Sequence, residues 1–172
     1  MRSSVPLGRI AGVRFDVNQS VLVFVAILIV ELPYGRFPLV LPGRSTGAYL
    51  VAAAIATVLS LASVLAHAVL ARRNGIRVES ITLWLLGGVA QLRGEPRSPG
   101  AGLRIAAAGP LTGLALGVVF GAGASGLLLA GAHGLPVAVF AYLVGINVIL
   151  VIFNLVPAAP LDGGRVLRAV LW

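Results

Sequence analysis

Four long apolar blocks separated by arginine-bearing stretches restrict this chain to a membrane fold. The blocks run over about residues 17–32, 48–71, 103–130 and 137–156. An α-helix needs about 20 mainly apolar residues to cross the roughly 30 Å hydrocarbon layer. The second, third and fourth blocks meet that length, and the first is short, with Pro33 and Pro38 flanking it. Composition points the same way: 59% of the 172 residues are hydrophobic and 10% are charged. Soluble domains run near 45–50% apolar and about 25% charged, so this chain lacks the polar groups to coat a globule. Gly109, Gly113, Gly117 and Gly121 recur every fourth residue in the third block, a spacing that lets helix backbones approach closely. Without cysteine, disulfides, thiolate metal sites and a cysteine nucleophile are all excluded.

The net charge of +8 comes from thirteen arginines and five acidic residues. Arg2, Arg9 and Arg14 precede the first block, Arg36 and Arg44 follow it, and Arg72, Arg73, Arg77, Arg93, Arg97 and Arg104 lie between the second and third. Arg165 and Arg168 follow the fourth. With both termini in the cytoplasm, eleven of the thirteen arginines fall inside, as the positive-inside rule requires. The charge is therefore a topology signal, and nucleic acid is not the expected partner; the interleaved aromatics of single-strand binding are missing too. No Ala-x-Ala cleavage site follows the first block, which is read as a retained span embedded in the lipid bilayer.

Residues 76–93 differ from the rest. Ile76 to Leu83 partly alternates and is rich in β-branched residues, Gly87-Gly88 breaks the run, and Val89 to Arg93 offers a return strand. The expected architecture is thus an all-α polytopic membrane protein of four helices, forming one membrane core over 1–172, with a small β-hairpin between helices two and three. Polar groups within the spans are few. Glu31 is placed at the outer end of span one, within reach of the interface, and His67 near the end of span two. Asn147 and Asn154 lie seven residues apart on span four, a pattern consistent with interhelical hydrogen bonds. Pro157 and Pro160, followed by Leu161-Asp162-Gly163-Gly164, should break span four near Pro157 and leave a carboxylate beside freed carbonyls.

At these residues the chain resembles the site-2 protease family, the intramembrane zinc metalloproteases. The resemblance is carried by Val5-Pro6-Leu7-Gly8-Arg9-Ile10-Ala11-Gly12, by Ala71-Arg72-Arg73-Asn74-Gly75-Ile76 leading into Ile81 to Ala90, and by Ala108-Gly109-Pro110-Leu111. Most specific is Asn154-x-x-Pro157-x-x-Pro160-Leu161-Asp162-Gly163-Gly164-Arg165. The family carries His-Glu-x-x-His on span two, where residues four apart share a helix face and both imidazoles reach one zinc, with the glutamate as general base. The Asp of its Leu-Asp-Gly motif supplies the third protein ligand.

The corresponding five residues here are Ser63-Val64-Leu65-Ala66-His67. The resemblance makes His67 and Asp162 the surviving metal ligands, puts Ser63 where a ligand is lost and puts Val64 where the general base belongs. Zinc binding is then expected to be weak or absent. A missing base alone removes about 10²–10⁴-fold of rate. Glu79 and Glu95 stand off the family position. The resemblance also implies that Asn154, Pro157 and the hairpin around Gly87 and Gly88 receive an unwound transmembrane segment of another protein, and that the setting is a bacterial inner membrane. Three readings follow: a proteolytically silent homologue that still binds a transmembrane segment; a working metalloprotease with unusual ligation or elements from another subunit; or a structural membrane protein or fragment without a ligand. In the first, Asp162 needs a partner other than metal, and His67, with Arg165 second, is the expected one. Val166 to Trp172 resembles the start of a further segment.

Overall fold

The computed structural model describes the backbone of residues 4–10, 13–73, 78–84, 87–92, 99–158 and 161–171, and side chains mainly within 20–63 and 100–171. Two strands open the chain, β1 (Ser4–Ile10) and β2 (Val13–Asn18). Helix α1 (Gln19–Glu31) passes into a π-helical turn, Leu32–Arg36, and then α2 (Phe37–Val40). Helix α3 (Thr46–Arg73) leads to strands β3 (Val78–Trp84) and β4 (Gly87–Leu92). Helices α4 (Pro99–Leu129), α5 (Leu135–Asn154) and α6 (Asp162–Val170) complete the order.

Among the described residues, four helical stretches are long and apolar enough to cross a membrane: Ser20–Val40, Thr46–Ser63, Gly102–Leu129 and Leu135–Asn154. The first extends past the expected end at residue 32, and both prolines lie inside it. A proline removes one backbone donor and crowds the preceding turn. The π-helical turn absorbs both effects by shifting register, with Phe37 N–H donating to Leu32 C=O five residues back. Such single π turns are rare and concentrate at functional positions. Glu31 is therefore not at the end of the span but near its middle.

The sheet departs further from an all-α chain with one hairpin. Its strand order is β1-β2-β3-β4. β1 pairs antiparallel with β2, β2 runs parallel to β3 (Phe15 opposite Ile81, Val17 opposite Leu83), and β3 runs antiparallel to β4. A parallel pair needs a long crossover, and here the crossover is the helical pair α1 and α3. The signal for β2 was present: Val13, Phe15 and Val17 alternate with Arg14, Asp16 and Asn18, the period of a half-buried strand. Arg14 and Asp16 in the same stretch also suit a charged arm ahead of the first span. In β1 the register slips between Pro6 and Gly8, which blurs its pattern.

The core lies where α1, the π turn, the start of α2, α3 and α5 meet. Leu28, Leu32, Phe37, Tyr49, Ala52, Ala53, Ala56, Val139 and Leu143 form it. The buried stripe of α3 is small and hydroxylic (Ala52, Ala53, Ala56, Thr57, Ser60, Ser63). Thr57 and Ser60 donate their hydroxyls to the carbonyls of Ala53 and Ala56, at 2.8 and 2.7 Å. This leaves a smooth surface against which neighbours pack closely. Tyr49 seals the Thr46 end of α3: its hydroxyl donates to Leu41 C=O and accepts from Arg44 N–H at 3.1 Å.

Glycines set the contact of α4 with α5. A Cβ at Gly113 would come within 2.5 Å of Val151 Cγ2, and one at Gly123 would meet the Phe140 ring. Gly117, between them in sequence, has nothing within 4 Å of such a Cβ. Gly113→Ala is expected to lower stability by about 1–3 kcal/mol through overpacking. Gly117→Ala should be neutral or stabilising, because alanine restricts the unfolded chain. Thermal unfolding of the two variants in detergent checks the contrast.

Candidate functional site

Three elements carry the residues singled out by sequence: α3, with Ser63, Val64 and His67; β4, with Gly87 and Gly88; and the segment from the end of α5 into α6, with Asn154, Pro157 and Asp162. Ser63 lies 17 residues beyond Thr46 along α3, about 26 Å at 1.5 Å per residue. It is buried, and its hydroxyl donates to Asn147 Oδ1 at 2.8 Å. Asn147, 2% exposed, donates its Nδ2 to Leu143 C=O at 2.8 Å. The chain from Ser63 through Asn147 to the α5 backbone is thus closed, and no buried side-chain polar atom among the described residues lacks a partner. Closure matters because an unpaired polar group in an apolar interior is costly. The sequence marked Asn147 as an interhelical hydrogen-bonding residue; it gave no sign that the partner would be Ser63.

α5 ends at Asn154, and the chain leaves helical geometry through Leu155 to Pro157. Leu155 N–H still donates to Val151 C=O and Val156 N–H to Phe153 C=O, while Leu161 N–H donates to Ala158 C=O. These bonds cap part of the helix end that Pro157 cannot continue. Pro157 is exposed, Asn154 is half-buried, and α6 restarts at Asp162. Asp162 is half-buried and carries a polar interaction of its own. α6 packs against α4. Gly163 makes the restart possible: a Cβ there would strike the backbone of Leu155 and Val156.

The side chains of Val64, His67 and Arg165 lie outside the described residues, as do Pro160 and Glu95, so the expected approach of His67 to Asp162 falls outside them too. Gly87 and Gly88 open β4, opposite Trp84 and Leu83. Among the described residues β4 has one strand neighbour, so its other edge is not paired within the sheet. No three His, Cys, Asp or Glu side chains cluster among the described residues.

Comparison with known proteins places this arrangement in a class. The family described as Peptidase family M50 matches residues 52–130 and 129–172. A Mycobacterium tuberculosis protein named as a zinc metalloprotease, Rip3, is 46% identical over the whole of this chain and 44% of its own length. A Synechocystis protein also named as a zinc metalloprotease is 37% identical over the whole of this chain and 45% of its own. A solved site-2 protease from Methanocaldococcus jannaschii superposes with a TM-score of 0.62 at 27% identity, covering 98% of this chain and 71% of that one. The chain belongs to the site-2 protease family, peptidase family M50. It spans less than half the length of the curated relatives it matches. Family membership and the four apolar helices make it an integral membrane protein.

Two substitutions test the geometry. Gly163→Ala forces a side chain into backbone, which cannot move as a flexible side chain can, and should cost at least the roughly 1–3 kcal/mol typical of overpacking. Ser63→Ala and Asn147→Ala, singly and together, should show a coupling of about 0.6–1.7 kcal/mol, the range for hydrogen bonds between membrane helices. Unfolding free energies of the four proteins in the cycle give that coupling directly.

Proposed function

We propose that this chain is the membrane core of a proteolytically silent site-2 protease homologue that has kept the fold's means of receiving a transmembrane segment. The observation that carries the reading is Ser63. The family resemblance assigns that position to a zinc histidine, and here a buried hydroxyl is committed to Asn147 on α5. A neutral hydroxyl is a poor zinc ligand beside imidazole, thiolate or carboxylate. Val64, next in sequence, has no group that transfers a proton. The donor set that this chain offers, His67 and Asp162 with Ser63, does not fit a catalytic zinc site of three protein ligands and a water. This donor set supports no hydrolytic step.

Reception of a segment is supported by other features. Among the described residues β4 is an edge strand, and an extended peptide can add to such an edge by main-chain hydrogen bonds. Gly87 and Gly88 in β4, with Asn154 and Pro157 at the broken end of α5, are assigned to that reception. His67 and Asp162 are the remnants of the metal site. Both termini are placed in the cytoplasm of a bacterial inner membrane, on the distribution of arginine, and residues 1–172 act as one membrane core.

Purified protein should contain well under one zinc per chain and leave a transmembrane peptide uncut. Ser63→His combined with Val64→Glu restores the ligand and the base, and should raise bound zinc toward about one per chain. Elemental analysis with a peptide-cleavage assay reads both. Wild-type protein with one tightly held zinc that cleaves the peptide contradicts the proposal.

A further inference from the structure

By the family resemblance, the misfit to a catalytic zinc site falls on Ser63 and Val64. The residue behind Ser63 has a feature that the silent-protease reading leaves unused. Asn147 is buried, and its amide is held in one orientation. Nδ2 donates to Leu143 C=O one turn back at 2.8 Å, which leaves Oδ1 facing α3 purely as an acceptor. The backbone of the same residue lies against α4, where a Cβ on Gly113 would come 3.8 Å from the Asn147 carbonyl oxygen. Oδ1 is thus fixed where three membrane-spanning helices meet.

Ser63 answers that acceptor in its own way. Thr57, Ser60 and Thr112 are buried hydroxyls that each donate to the carbonyl four residues back in their own helix, at 2.8, 2.7 and 2.7 Å. Such back-bonding is the ordinary resting place of a hydroxyl within a helix. Ser63 gives its one proton across the interface instead. Direction matters as well. α3 and α5 run the same way: near their starts a Cβ on Gly134 would come 3.4 Å from the Arg44 guanidinium, and further along Ser63 meets Asn147. Position 67 lies about one turn beyond Ser63, and Asn154 about two turns beyond Asn147. Gly163, next to Asp162, packs against the backbone of Leu155 and Val156. The other donor positions therefore lie beyond position 63, and Asn147 stands behind it.

From this placement we infer that Asn147 is a positioning residue for the lost metal ligand: its Oδ1 is a built acceptor for the N–H of an imidazole at position 63, a place that the serine hydroxyl now holds. The inference rests on the proposed assignment of Ser63 to the family's first metal histidine. A histidine that ligates zinc through one ring nitrogen carries its N–H on the other, and an acceptor there fixes the tautomer and the direction of the ring. The Asn147 amide oxygen is an acceptor of that kind. Left without a donor in this buried place it would be costly, and the Ser63 hydroxyl keeps it satisfied.

The test uses the full chain in detergent with Ser63→His and Val64→Glu, and adds Asn147→Leu or Asn147→Asp. Leucine keeps the volume and removes the acceptor. Aspartate keeps an acceptor oxygen. Both break the bond to Leu143, so a merely structural asparagine predicts equal effects. Zinc affinity, read by competition with a chelator, should fall about 10–100-fold with Asn147→Leu. With Asn147→Asp it should remain close to that of the doubly substituted protein. A zinc-free readout accompanies it. In the Ser63→His protein at fixed pH, nitrogen NMR distinguishes the introduced imidazole from His67 and His133 by comparison with the parent chain. One tautomer should dominate, and adding Asn147→Leu should convert it to a mixture. Equal zinc losses in the two variants, no loss in either, or a tautomer balance indifferent to Asn147→Leu overturns the inference. If the doubly substituted protein takes up no zinc, the tautomer measurement decides alone. Wild-type protein that holds zinc and cleaves a peptide contradicts the silent-protease reading and leaves the tautomer measurement in place, so the two fail separately.

Discussion

The hydrogen bond from Ser63 to Asn147 is the contact on which the reading of this membrane core turns. It joins the second membrane-spanning helix to the fourth at a buried position, and Asn147 closes it by donating to the backbone of its own helix. Between membrane helices there is no hydrophobic drive to associate, so packing and such hydrogen bonds do the joining. The family resemblance assigns the Ser63 position to a metal ligand. Here a short neutral side chain reaches across to the neighbouring helix. This polar contact ties the two helices directly, side chain to side chain.

Around that contact the packing follows from small side chains. The buried face of α3 is alanine, serine and threonine, and glycines on α4 accept Val151 and Phe140 from α5. Close backbones give dispersion contacts that larger residues would prevent. At the far end of α5 the proline-rich segment interrupts the helix, and Gly163 lets the next helix begin against the backbone that the interruption exposes. A four-stranded sheet meets the helices through α1 and α3, and its parallel pair β2–β3 makes the first two membrane helices one long crossover between strands.

Much of this was legible in the sequence, for identifiable reasons. Uninterrupted apolar blocks leave a helix few alternatives in lipid, because every backbone group must be paired internally. The Asn154 to Arg165 segment announced a break, because proline cannot donate. The N-terminal strands are harder to read: Val13 to Asn18 alternates cleanly, but the same residues also fit a charged arm. The extension of the first span through Pro33 and Pro38 is not legible, because proline reads as an end signal and a π-helical turn that accommodates it leaves no pattern of its own. The pairing of Ser63 with Asn147 joins residues 84 positions apart. One sequence marks both as polar residues among apolar ones without showing that they meet.

The central claim is that helix joining in this core is metal-free. The most direct measurement is the thermal unfolding midpoint of the purified protein with added zinc and with a strong chelator. A ligand that binds only the folded state must raise that midpoint by mass action, because it adds about 2.7 kcal/mol of stability at a hundred times its dissociation constant. The account predicts the same midpoint in both conditions. A midpoint that rises with zinc and falls with chelator would contradict it.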